Sequence, residues 1–337
     1  MPDRTGRTLA PARPWIPLLG VAILCSIAFA ILSPRFATDF NVYVILSSAT
    51  LLALIGYSQL TVLGIGDFSL AVGGIGEFTA ILLGFGLHTA GWPLLPALLV
   101  AIAASLAMGL LNGALVILTG VSGFIVTLAT GGAFAGLSLA ITETAPYTGF
   151  PASFNALGTG RLGPFPLNLV VALAAASCLG TLYVWRRAGR LMLAVGDNPE
   201  AARLSGLSRR EAVLWAHGLS GLLAGLAGIV ATAQLHEANP TAGSGWLIQS
   251  FTVPIIGGTL LTGGVVSVFG ILIAALILAT INDGLILLNV GPYWVTLVEG
   301  LLVFAAVLLG RTDLSRLAAH LRGLAPRTPT PLPAPRP

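Results

Sequence analysis

The chain of 337 residues contains no lysine, and only 8% of its residues are charged. A soluble globular chain uses about 25% charged residues. With so few, a folded surface of this size could not be kept in water, which rules against a soluble enzyme or signalling domain. Lipid must cover much of the surface. The apolar content of 56% and the mean hydropathy of +0.94 agree with that.

Other absences narrow the chemistry. Cys25 and Cys178 lie in separate apolar stretches, so neither a disulfide framework nor a cysteine-based metal site is expected. His88, His217, His236 and His320 are scattered, with no HExxH pair and no GxSxG serine elbow, so hydrolytic chemistry has no support. No GxxxxGK[ST] phosphate loop occurs, so any ATP and magnesium would be held by another chain, and no cofactor is expected on this one. The net charge of +4 comes from sixteen arginines, which cluster at the two termini and in one central loop. Membrane topology produces that placement, and no nucleic-acid partner is expected.

Backbone amides in hydrocarbon must be bonded within their own segment, so each apolar run reads as a helix. Runs fall near 16–32, 42–63, 68–90, 93–118, 122–142, 165–185, 212–233, 247–262, 265–288 and 294–310. The expectation is an all-α polytopic membrane bundle of about ten transmembrane helices of roughly 20 residues each. The first run follows Arg4, Arg7 and Arg13 but is longer than a signal peptide's apolar core, and Ser33-Pro34-Arg35 is a poor cleavage site. It reads as a retained span.

Arginine sets the orientation. The loop 186–211 holds Arg186, Arg187, Arg190, Arg203, Arg209 and Arg210, and both tails carry arginines, whereas 234–246 has none. Six spans and then four separate these basic regions, so both termini and the central loop are expected on the cytoplasmic side. Trp15, Trp92, Trp185, Trp246 and Trp294 fall at span ends, where an indole ring belongs at headgroup level. Residues 1–14 read as a cytoplasmic tail, 15–310 as the transmembrane domain, and 311–337 as a cytoplasmic tail that is disordered in its proline-rich part.

The central loop carries a helix signal. Asp197 or Asn198 can cap a helix whose first turn holds Pro199 and Glu200, and Gly206 is placed to stop it. Ala201 and Ala202 give this short helix of about two turns a nearly bare face for close approach by another protein. Two readings stand, an ordinary polar linker helix or a docking element, and roughly ten to twenty residues of ordered, capped helix are more than a linker needs.

From Gly189 to Gly206, this loop resembles the EAA-type loop of ABC importer permeases, in the form found in the ribose/xylose/arabinose-type permease family. Three other stretches agree: Phe124–Thr130 with "FIVTLGT", Ile255–Gly270 with "IIGGTSLSGGRGSVWG", and Asn282-Asp283-Gly284 followed by Pro292-Tyr293-Trp294 with "NNGL … SPYW". Two stretches depart from the pattern. Gly64–Gly73 stands where "GGIDLSVGS" is usual, and Val265-Val266 replaces the usual arginine.

The resemblance implies a permease subunit in a bacterial inner membrane that imports a small polar solute, most often a monosaccharide. It implies a second permease copy, two ABC ATPase subunits and an extracytoplasmic solute-binding protein as partners. It assigns the ATPase-coupling role to Gly196, Asp197, Asn198, Glu200, Ala201, Ala202, Arg203 and Gly206.

Candidate path residues are polar groups within the apolar runs. Gly64-Ile65-Gly66-Asp67-Phe68 recurs ten residues later as Gly74-Ile75-Gly76-Glu77-Phe78. Clustered glycines disfavour a continuous helix, and a buried acid must face protein or water. Two readings stand: Asp67, Ser69 and Glu77 line a translocation path, or the segment is a tight turn near the interface. Asn282 and Asp283 near an outer helix end either bond solute hydroxyls or cap a helix. Thr127 and Thr130 either face the path or bond back to their own helix. Glu299 could pair with His217 or face the pore. An ion-coupled carrier would use Asp67, Glu77, Asp283 and Glu299 as relays, but it gives no reason for the capped loop helix.

Overall fold

The computed structural model describes residues 15–304, apart from 292, 299, 302 and 303. The two tails, Glu299 and much of the expected tenth span lie outside the described residues. The chain folds as α1 (Trp15–Leu32), α2 (Asp39–Leu63), α3 (Val72–Gly84), α4 (Leu94–Thr119) and α5 (Gly123–Thr142). Then come α6 (Ala152–Thr159), a two-stranded hairpin of β1 (Arg161–Leu162) and β2 (Phe165–Pro166), α7 (Leu169–Trp185), α8 (Arg187–Asp197) and α9 (Pro199–Leu204). The remaining helices are α10 (Arg209–Leu235), α11 (Trp246–Ile256) and α12 (Val268–Leu287). A π-helical turn, Phe85–Thr89, extends α3.

Among the described residues, seven helices are long and apolar enough to cross a membrane. The expected ten are accounted for differently. The sixth, α7, has 17 residues and bends by 73° into α8, so at most one span comes from the pair. The eighth is only the 11-residue α11. The tenth falls mostly outside the described residues.

The core is built on α2 and α10, which lie side by side. Ser58 Oγ donates to the Ser220 carbonyl (2.8 Å), and Thr61 Oγ1 donates to that of Ala216 (3.0 Å). Small residues allow the close approach. Gly221 of α10 faces Gly109 of α4, and Gly228 faces the backbone of Gly76 in α3. Without a solvent-driven force between helices in lipid, such backbone-to-backbone packing is what holds a bundle together. The outer faces are apolar: Ile23, Leu24, Ile27 and Ile31 of α1 and Leu95, Leu99 and Leu110 of α4 are exposed.

Two elements escaped the sequence pattern. In the connection 143–168, α6 packs on the far end of α10, with Gly158 against Ala233 and the Tyr43 hydroxyl donating to the Gly158 carbonyl (2.8 Å). In the central loop, α8 is amphipathic: Leu191, Met192 and Val195 are buried while Arg187 and Arg190 are not. Trp246 does not sit at a span end as expected. It starts α11 inside the bundle, 5% exposed, with its ring against Gly76.

Candidate coupling handle and path-lining break

The handle is α9. The Asn198 Oδ1 accepts from the Ala201 N–H (2.9 Å), so Asn198 rather than Asp197 is the N-cap, and Pro199 opens the helix. The Ser205 N–H donates to the Ala201 carbonyl and the Leu207 N–H to that of Ala202 (2.9 Å), with Gly206 at φ +74°. That is a glycine stop of the expected kind. Immediately afterwards the Ser208 Oγ accepts from the Glu211 N–H (3.2 Å) and starts α10.

The bare face differs from the one expected. Ala202 is buried against the protein's own bundle, and Gly196 is buried too. A six-residue helix lying on a bundle must turn one side inward, and the smallest residues take that side. The open face is Glu200, Ala201, Arg203 and Leu204, with Leu204 79% exposed and Arg203 paired to Glu200 (2.6 Å).

Three distant segments meet behind the handle. The Gly264 N–H donates to the Gly64 carbonyl at the end of α2 (3.1 Å). A Cβ on Gly264 would lie 2.7 Å from the Cα of Asp197, and one on Gly196 would lie 2.7 Å from the Gly264 nitrogen. Gly264 is also left-handed, at φ +77°. Backbone therefore touches backbone where α2, α8 and the loop between α11 and α12 converge, and no side chain cushions the contact.

Asp67 lies next to this junction, in the loop between α2 and α3. Its Oδ1 accepts from the Phe68 N–H (2.9 Å), its Oδ2 is 3.6 Å from His217 Nε2, and the carboxylate rests on Gly123 at the start of α5. Burial alone would raise its pKa. The contacts with His217 and Phe68 and the nearby charge of Arg209 outweigh that and hold the carboxyl below the usual range. Because the folded value is depressed, its contribution to stability is full above the ordinary carboxylate pKa of about 3.9 and is lost as pH falls through the lowered value. Asp67→Ala is expected to destabilise the protein by about 1–3 kcal/mol above that range and by progressively less in acid, read by thermal unfolding in detergent.

Thr127, Thr130 and Asp283, also expected along the path, have structural partners. Thr127 Oγ1 donates to the Gly123 carbonyl (2.6 Å) and accepts from the Leu70 N–H (2.8 Å), tying the α2–α3 loop to α5. Thr130 bonds back to Val126 (3.1 Å), and Ser69 is buried. At the far end, the Asn41 Nδ2 donates to Asp283 Oδ2 (2.8 Å), joining α2 to α12 beside half-buried Asn282. His217 thus faces Asp67, while Glu299 lies outside the described residues.

Glu77 marks the feature that sequence reasoning missed. Its Oε1 accepts from the Gly243 N–H (3.0 Å). Gly84, at the end of α3, faces Ala238; Gly73, at its beginning, faces Gly243; and Gly76 faces Trp246. The chain after α10 therefore runs without helix down the side of α3. From the level of Gly84 to that of Gly76 is eight residues, or about 12 Å along a helix. α11 starts only there, so the region expected as the eighth span is an irregular segment followed by an 11-residue helix. The sequence signal was Pro240 together with Gly243 and Gly245.

A multi-pass helical bundle with a short apolar helix and a capped surface helix locked to its backbone is the build of a membrane transport protein. Residues 18–307 match the family described as branched-chain amino acid transport system / permease component, and the chain belongs to that family. It is a transport permease subunit, not an enzyme. It is 35% identical to the D-allose transport system permease protein AlsC of Escherichia coli K12, over 86% of this chain and 89% of that protein. It is 33% identical to the ribose import permease protein RbsC of Bacillus subtilis, over 88% and 92%. With the galactose/methyl galactoside import permease protein MglC of Salmonella typhimurium it shares 29%, over 67% and 70%. No solved structure matches the chain.

Proposed function

We propose that this permease carries a monosaccharide across a bacterial inner membrane, with both termini and α9 on the cytoplasmic side. It works as a pair, driven by two ATPase subunits that hold ATP and magnesium, and supplied by an extracytoplasmic binding protein. The observation that carries this reading is α9, capped at both ends and open along Glu200, Ala201, Arg203 and Leu204. ATP-driven closure of the ATPases moves that face, and the backbone junction at Gly64, Gly196 and Gly264 passes the motion to α2 and to the loop after α11. The sugar relatives support the cargo, and so does the scarcity of charge along the bundle.

The test is uptake of labelled D-ribose and D-allose by cells expressing the whole transporter. Uptake is expected to persist under a proton uncoupler while ATP is maintained, and to stop with Leu204→Asp at unchanged protein level. Uptake that follows the proton gradient would instead assign the chain to ion-coupled carriers. A milder change separates docking from folding. The Glu200–Arg203 pair is exposed, and such pairs add little to stability. Glu200→Gln should leave the unfolding temperature within about 1 °C while lowering ATP-driven uptake severalfold.

A further inference from the structure

The non-helical stretch 239–245 poses a physical problem that the rest of the bundle does not. Thr241, Ser244 and Gly245 are exposed on the surface of the chain, and the segment lies alongside α3, which is itself part of an 18-residue span. Irregular backbone is not found facing lipid at membrane depth, because its polar groups would have no partner there. It occurs only where protein covers it or water reaches it. The exposed sides of α1 and α4 are continuous apolar surface and suit lipid. This side does not.

The neighbouring wall is a regular helix. α5 packs on the next face of α3, with Gly131 against Leu70 and Ala71 and Phe134 against Phe78. Its exposed residues include the large apolar Phe124, Ile125, Leu128 and Leu137, and between them the small Ala129, Gly132, Ala133 and Gly136, where a Cβ on either glycine would meet nothing within 4 Å. The broken segment is held rigidly. Glu77, 5% exposed, bonds the Gly243 N–H from behind, and Asn239 Oδ1 accepts from both the N–H and the hydroxyl of Thr241. The Ser244 hydroxyl makes no hydrogen bond to any described residue and is exposed.

We propose that the break at 239–245 is the solute-contacting wall of the translocation path, turned toward the second copy, with Thr241 and Ser244 presenting hydroxyl and backbone groups to a small polyhydroxylated solute. This rests on the importer reading and adds to it which face lines the path. The strip carries no charge between 238 and 245, so its contacts are weak and reversible, as passage requires.

Cysteine accessibility in the assembled transporter tests it. In membranes holding all subunits, with Cys25 and Cys178 replaced by serine, Ser244→Cys is compared with Leu24→Cys at mid-α1. A charged, water-soluble thiosulfonate should modify Ser244→Cys at least tenfold faster than Leu24→Cys. Thr241→Cys gives the same reading should the first variant fail to assemble. Modification only by a lipid-soluble maleimide, or by neither reagent, would overturn the assignment. ATP-dependent uptake in the same membranes is scored separately. If it is present without labelling, the wall is wrong and the importer stands; if uptake is not ATP-dependent, the importer reading itself fails.

Discussion

Gly264→Val is expected to abolish ATP-driven uptake while leaving the ATPase subunits able to hydrolyse ATP. Two independent penalties act at that position. The backbone is left-handed at φ +77°, a conformation that costs a residue bearing a Cβ about 1–2 kcal/mol. The new Cβ would also lie 2.7 Å from the Cα of Asp197, and backbone cannot rotate away as a side chain can. The contact can be relieved only by moving α8, and with it α9, away from the end of α2. Gly206→Ala is the control. It too is left-handed, at φ +74°, but a Cβ there meets nothing within 4 Å. It should cost only the conformational term and reduce uptake less than about tenfold. Equal effects from the two substitutions would mean that the junction transmits nothing. Uptake by reconstituted vesicles, with ATP hydrolysis measured in parallel, decides between them.

The comparison of junction and handle shows what the sequence makes legible. The handle was readable because its signals are local: Asn198, Pro199, Glu200 and Gly206 each act within one turn of themselves. The junction was not, because Gly64, Gly196 and Gly264 are distant in the chain, and a glycine reports only that something comes close. Long apolar runs marked α1, α2, α4, α5, α10 and α12, where lipid requires unbroken helix. They failed at α11, because an apolar run of the right length cannot say that its helix is only 11 residues long. The partners of the acidic residues are hidden for a related reason. Asp67 and Asp283 look costly in hydrocarbon, yet one meets His217 and the other Asn41, and such long-range pairings leave no trace in either local sequence. The uncharged segment 239–245 falls between two apolar runs and carries no span signal of its own.

Glu77 offers the second large effect and separates two mechanisms. As the buried acceptor for the Gly243 N–H, it fixes the broken segment against α3. Glu77→Ala leaves that N–H without a partner in the interior. Leaving a buried donor unsatisfied costs about 1–3 kcal/mol, and the wall of the path is released as well. Uptake should fall by about ten- to a hundredfold at a protein level close to that of the parent. Glu77→Gln keeps an oxygen in the same place and nearly the same volume, so it should retain at least about half of the uptake. A carrier driven by protons would respond differently. There the carboxyl itself must bind and release the coupling ion, and the amide would be as inactive as alanine. Uptake by the glutamine variant therefore reports what Glu77 does: retained, it is an anchor for backbone; lost together with the alanine variant, it is a relay, and the broken span owes its shape to something other than this hydrogen bond.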